Sequence, residues 1–423
     1  MNKKIPTKNT FTTKDFKRLE PTPEEGIRQV TEILRSGNLF RYSSENPLDS
    51  AVVLFEQEFA KAWGGGMRHA LAVNSCSSAI LLALKALDVK PGDKVLAPAF
   101  TFTAVPSAIA DLYAEAVLVE INQNYTLDIE DLKRKITSNP SAKILLLSHM
   151  RGYISDMDAI MEICRDRGLT LVEDAAHALG SRWNGKLIGS FGKISCYSFQ
   201  SYKLINAGEG GLAMTDDDDL MAKMILDSGA YESLCRQHVS LPPSAFDRYK
   251  NKRPLFNVRM SNVTAAIARS QLPHVTERIA VYRGRYAYIT GKLRALAAVE
   301  LPESDPRQER VPDSLQFRLK GFTPDMMAIF LKTAKERGVP LAGFGADKDN
   351  ARAPWNWSYL KPQDGLEKAH AALDTTCDMR LTTNMTDEMC DYLVETVRDA
   401  IGEAEMSAAA PRFSLKKTSS GAR

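Results

Sequence analysis

Between residues 69 and 173 the chain alternates short apolar runs with helix-length stretches, and this alternation limits the fold more than any other feature. Strand-like runs occupy 69–74, 94–97, 116–121, 143–148 and 169–173, and a helical pattern covers 78–87. A second helical pattern covers 156–167, with Met157, Ile160, Met161 and Cys164 on one face and Gly168 placed to cap it. Strands separated by helices of this length imply βαβ crossovers, hence a parallel or mixed sheet. Ligands bind such sheets beyond the carboxyl ends of the strands, so chemically capable residues there carry the most weight.

At 423 residues the chain exceeds one typical domain. Residues 1–46 read as an N-terminal arm with a short helix near 23–37. A helix over 49–63 follows, ended by Gly64, Gly65 and Gly66. Residues 47–272 read as a large domain, and 273–406 as a long helix followed by a smaller α+β domain. The helical region 261–296 is expected to bend at Pro273, and the charged, proline-containing 303–314 to be a surface loop. The Ala/Ser/Lys/Arg-rich tail 407–423 is expected to be disordered. Asp216 to Asp219 open a helix whose dipole favours carboxylates; a metal site is the competing reading.

Composition removes several function classes. The 55 basic and 52 acidic residues leave a net charge of only +3, with no basic block, which argues against nucleic acid as a partner. Six scattered cysteines without a Cys-x-x-Cys pair support neither a disulfide framework nor a zinc site. The polar, basic start and the lack of any apolar run of spanning length lead to the expectation of a cytoplasmic protein without a membrane partner.

The chemistry gathers around Lys203, in the run from Ser198 to Gly211 that ends Gly208-Glu209-Gly210-Gly211. Upstream, Asp174 closes the apolar run 169–173 and is followed by Ala175, Ala176 and His177. An acid, an imidazole and a lysine in this order on strand ends suit pyridoxal 5′-phosphate (PLP) chemistry. Lys203 would form the imine to the cofactor and then carry protons, which requires a lowered pKa. Asp174 would face the pyridine nitrogen, and His177 would hold the phenolic oxygen. Ser75-Cys76-Ser77-Ser78 would cup the phosphate at a helix N-terminus, with the Ser77 and Ser198 hydroxyls completing the cup. Phe102 would stack on the ring. Taken singly, each has a plainer role: a surface lysine, a helix cap, a core histidine, a small-residue turn, a core aromatic. Their order along the chain favours the chemical reading.

From about 47 to 272 the chain resembles the DegT/DnrJ/StrS family of sugar aminotransferases. Its Ser-Gly-Thr-Ala-Ala-Leu turn matches Ser75 to Ile80, its Thr-Phe stretch Thr101-Phe102, and its Glu-Asp-Ala-Ala segment Glu173 to Ala176. Its Phe-Ser-Phe…Lys…Gly-Glu-Gly-Gly signature matches Tyr197 to Phe199, Lys203 and Gly208 to Gly211, and its Asn-x-Arg-Met stretch matches Asn257 to Met260. The resemblance implies a fold type I PLP-dependent transferase: an α/β large domain with a mixed, mostly parallel sheet flanked by helices, plus a smaller C-terminal α+β domain. It further implies transfer of an amino group from L-glutamate to a keto sugar. Asn257 would reach the cofactor phosphate of a neighbouring subunit, hence a homodimer with shared active sites.

Cys76 and Ser77 stand where the family has glycine and threonine, and Val258 stands where an aromatic is common. Arg151 replaces an uncharged residue. It would bind the carboxylate of glutamate or of an acidic sugar, or else form a surface salt bridge with Asp156 or Asp158. The first option points to a keto-octulosonate acceptor for lipopolysaccharide; a nucleotide-linked 4-keto sugar is the alternative. A sugar dehydratase would replace Lys203 by histidine, and a PLP-binding regulator without catalysis would not need the intact set. Trp355-Asn356-Trp357 is either packing or part of the acceptor pocket.

Overall fold

The computed structural model describes residues 10–345, 347 and 349–409. Four helical crossovers join β1 (His69–Val73), β2 (Lys94–Pro98), β3 (Glu115–Val119), β4 (Ile144–Ser148) and β5 (Thr170–Asp174). A short hairpin, β6 (Arg182–Trp183) and β7 (Lys186–Leu187), precedes β8 (Ile194–Ser198) and β9 (Gly211–Thr215). The seven long strands form one sheet in the order β1-β9-β8-β5-β4-β2-β3. Only β9 runs against the others, pairing antiparallel with both β1 and β8. The sheet is therefore mixed and mostly parallel, as expected.

Its strands are apolar on both faces because helices cover both. Leu96, Leu145, Leu147, Leu171 and Leu212 join one core cluster, while Val95, Ile144, Leu146, Val172 and Ala213 join another. That division follows the two-residue period of a strand. The helix Met157–Arg167 shows how sequence sets an element's ends. Asp156 accepts from the Ala159 amide at 3.0 Å, and Gly168 stops it with φ +62°. Asp217 caps the helix Asp218–Asp227 in the same way, accepting from Leu220 at 3.0 Å.

Beyond the large sheet come β10 (Val299–Glu300), β11 (Gln308–Glu309), β12 (Ser314–Leu319), β13 (Ala342–Gly343) and β14 (Thr376–Arg380). Four of them form an antiparallel sheet, β10-β12-β14-β13, backed by the helices Pro324–Glu336 and Asp387–Ala409. Three expectations need correction. Pro273 does not bend one helix: Asn262–Arg269 and Val275–Leu293 are separated by a 3₁₀ turn, Leu272–His274. The segment 303–314 is not simply a surface loop, since β11 pairs with β6 while Val311, Asp313 and Ser314 are buried. Residues 407–409 belong to the last helix, and the rest of the tail, 410–423, lies outside the described residues. Among the described residues no helix is long and apolar enough to cross a membrane.

Candidate active site

A cavity of about 650 Å³ opens at the carboxyl edge of the large sheet and is closed from the other side by residues around β13 and β14. The parallel register explains what meets there. Ser148 lies opposite Asp174, Asp174 opposite Cys196, and Ser198 opposite Gly211, so the ends of β4, β5 and β8 and the start of β9 form one rim.

Asp174 is buried on that rim and lines the cavity. The Ser148 hydroxyl donates to its Oδ2 at 2.7 Å and the Ala176 amide to its Oδ1 at 3.1 Å, which fixes the carboxylate plane. Its neighbour Glu173 faces the opposite side of the strand and accepts from the amides of Gly189, Phe191 and Gly192 at 2.6–2.9 Å. Burial works against the Glu173 charge, but His149 and those amides hold its carboxyl below the ordinary range. Adjacent acids thus have different work: one holds a loop, the other faces the cavity.

The small-residue turn begins the helix Cys76–Ala86, with the Ser75 hydroxyl accepting from the Ser78 amide at 3.1 Å. Gly211 lies against it so closely that a Cβ would come within 2.3 Å of the Ser75 carbonyl carbon. Ser77, Cys76 and Ser198 all line the cavity, as does Phe102, which is 44% exposed. Burial and the Asp174 charge push the Cys76 thiol well above its usual pKa, so it offers no thiolate.

Lys203 sits in the loop between β8 and β9, which closes on itself through Ser201 N–H to Gly208 O at 3.0 Å and Ala207 N–H to Phe199 O at 2.8 Å. Its Nζ is 2.8 Å from His177 Nε2. Burial, helped by the nearby Arg380 guanidinium, lowers the Lys203 pKa to about 7. His177 Nδ1 lies 2.8 Å from Asp313 Oδ2, which also accepts from Arg380 Nη1 at 2.8 Å. Burial opposes the Asp313 charge, yet His177 and Arg380 hold its carboxyl well below the ordinary range. An ionised carboxylate can only accept, so Nδ1 carries the histidine proton and Nε2 turns its lone pair toward Lys203. Burial and Lys203 keep the imidazole pKa well below its usual value, so the ring is neutral.

Arg151 follows β4 in a left-handed conformation, φ +56°, next to Gly152 at φ +71°. It is 1% exposed and forms an ion pair with Asp378 of β14. The surface salt bridge with Asp156 or Asp158 is overturned: those acids bind Arg307 instead, at 3.0 and 3.3 Å. Arg352 and Arg380 also line the cavity. Asn257 is exposed and lies outside its own chain's cavity. Trp357 is buried beside Phe100 and Phe344, and Trp355 stacks on His370 at 4.2 Å; neither lines the cavity.

The sequence thus pointed to Lys203, Asp174, His177, Cys76, Ser77, Phe102, Ser198 and Arg151, which the fold brings together, and missed Asp313, Arg352, Asp378 and Arg380. The donor set fits PLP: an amine with a lowered pKa, a buried carboxylate, and a helix N-terminus flanked by hydroxyls.

The profile described as the DegT/DnrJ/EryC1/StrS aminotransferase family matches residues 22–398. The chain is 33% identical over 358 residues to the 3-amino-5-hydroxybenzoate synthase of Amycolatopsis mediterranei (strain S699), covering 84% of this chain and 87% of that one. It is 36% identical over 249 residues to the GDP-perosamine synthase of Caulobacter vibrioides, or 58% of this chain and 64% of the relative. The crystal structure of 3-amino-5-hydroxybenzoic acid synthase superposes with a TM-score of 0.78 at 28% identity, covering 92% of this chain and 98% of that one. The crystal structure of S. venezuelae DesV superposes with a TM-score of 0.75 at 25% identity, covering 89% of this chain and 94% of that one.

Proposed function

Because the chain belongs to the DegT/DnrJ/EryC1/StrS aminotransferase family, we propose that it carries an amino group from L-glutamate to a keto sugar. It is a sugar aminotransferase of fold type I that uses PLP. The observation that carries the site assignment is the Lys203 amine, 2.8 Å from His177 and facing the same cavity as the buried Asp174.

When bound, PLP supplies an aldehyde that holds the amino group and a ring that accepts electrons from the carbon losing its proton. The remaining tasks fall to side chains of this protein. Asp174, fixed by Ser148 and Ala176, balances a positive pyridine nitrogen. The amides and hydroxyls of 75–78, with Ser198, hold the phosphate. Phe102 covers one ring face. Lys203, with its pKa near 7, takes a proton from one carbon and returns it to another without a large energetic mismatch at either step. His177 presents Nε2 to that amine, and Asp313 keeps the ring in the tautomer that makes this possible.

The protein works in the cytoplasm; glutamate leaves as 2-oxoglutarate, and the amino sugar is destined for cell-envelope polysaccharide or lipopolysaccharide. Arg151 and a relative named for making an aminobenzoate support an acidic acceptor of the keto-octulosonate kind. A relative named for making GDP-perosamine supports the second reading, a nucleotide-linked 4-keto sugar. The working unit is a homodimer in which Asn257 completes the partner's site; the flanking Leu255 and Phe256, 49% and 41% exposed, support a contact surface there.

The test is optical. Purified protein with PLP should absorb as a protonated imine, and L-glutamate should convert it to the pyridoxamine spectrum. Lys203→Ala should lose turnover by about 10³-fold or more. Turnover at the wild-type rate would remove Lys203 from the mechanism.

A further inference from the structure

Three guanidinium groups converge where β14 and the loop 350–353 close the cavity, and only part of their charge is matched. Arg151 is ion-paired with Asp378, whose other oxygen accepts from Gln316 Nε2 at 2.6 Å. Arg380 is paired with Asp313, which is already committed to His177. Arg352 has no ion pair among the described residues, and its one side-chain hydrogen bond, to Asn350 Oδ1, is 3.5 Å long. Arg151, although buried, keeps Nε and Nη1 without an acceptor. Unmet N–H groups on a buried cation are costly, and an oxyanion would relieve that cost. Burial and the nearby Arg151 lower the pKa of both Arg352 and Arg380, the latter to about 10, so each would gain from an added negative charge.

On the aminotransferase reading the cofactor phosphate takes the helix start at 75–78, which follows β1 of the large sheet. The arginines stand on the opposite wall, where a substrate bound beyond the cofactor would reach. Planar guanidinium forks suit a planar carboxylate. We infer that Arg352, with Arg151 and Arg380, forms a receptor for the carboxylate of a sugar-acid substrate. This rests on the aminotransferase reading with an acidic acceptor and deepens it, adding Arg352 and Arg380 to Arg151 as the groups that recognise the acid.

The experiment uses the full chain loaded with PLP, titrated by calorimetry with D-glucuronate and, separately, with D-glucose. Wild type should bind glucuronate at least about tenfold more tightly than glucose. Arg352→Met should weaken glucuronate by about 10–100-fold, the loss expected for a charged hydrogen-bonded pair. It should leave glucose binding and PLP retention unchanged, and Arg352→Lys should recover part of the loss. Equal binding of the two sugars, or loss of PLP rather than of glucuronate in Arg352→Met, overturns the receptor. The glutamate-induced spectral change on the same preparation separates the two ideas. If it fails, the aminotransferase reading falls, while the glucuronate comparison still decides the receptor.

Discussion

Lys203 stands close to the pH at which half of it is free amine, and Asp313 helps to keep it there. Burial first and Arg380 second bring its pKa down to about 7, against partial opposition from the Asp313 carboxylate. Only the unprotonated amine attacks an aldehyde. Reaction of the cofactor-free protein with PLP should therefore rise with pH through about 7 and flatten well below an ordinary lysine's 10.4 or so. In Asp313→Asn the midpoint should move lower still, because the carboxylate that favours the ammonium is gone. Turnover should fall by about 10–100-fold, since the histidine tautomer is no longer fixed. A midpoint unchanged between the two proteins would remove Asp313 from this role. Lys203, Asp174 and His177 were legible because they follow strand patterns with recognisable spacing. Asp313 was not. It lies in a segment whose charged residues and prolines read as solvated, and its partner His177 is distant in sequence. Arg151 was singled out at its strand end, but burial cannot be seen in one residue, so its partner Asp378 was missed.

Elements were legible wherever local pattern and tertiary packing agreed. The five crossover strands, the helix over 156–167 and its glycine stop were all visible in the sequence because each is set by its own periodicity and caps. The turn at 75–78 was visible as a helix start, but its tight seat against β9 was not, since that contact joins distant segments. Gly211 is there for lack of space: an added Cβ would meet the Ser75 carbonyl carbon at 2.3 Å and the Cys76 nitrogen at 2.4 Å, both backbone atoms. Gly211→Ala should cost about 1–3 kcal/mol in denaturant unfolding. PLP should also dissociate more readily, because the displaced atoms are those of the turn proposed to hold its phosphate. Wild-type stability together with wild-type PLP retention would show that the turn relaxes freely. Pro273 and 303–314 went the other way: a proline interrupted what periodicity would have continued, and a charged loop acquired a strand partner.

For the whole molecule, the prediction concerns pairing of chains. If Asn257 serves the neighbouring subunit, inactive Lys203→Ala chains refolded together with Asn257→Ala chains should give more turnover than the mean of the two kept apart. Each mixed pair would own one complete site. No gain on mixing would return Asn257 to the surface of its own chain. The large sheet was predictable from sequence because it is built of local crossovers. The antiparallel sheet at 299–380 was only outlined, since its pairings span long loops and its charged residues give no period. Yet this second sheet supplies Asp378 and Arg380, and the loop beside it Arg352. On the proposed reading, catalytic competence belongs to the gap between two layers rather than to either one. Warmth or mild denaturant that lets them drift by roughly an ångström would silence the enzyme while circular dichroism still records an intact fold.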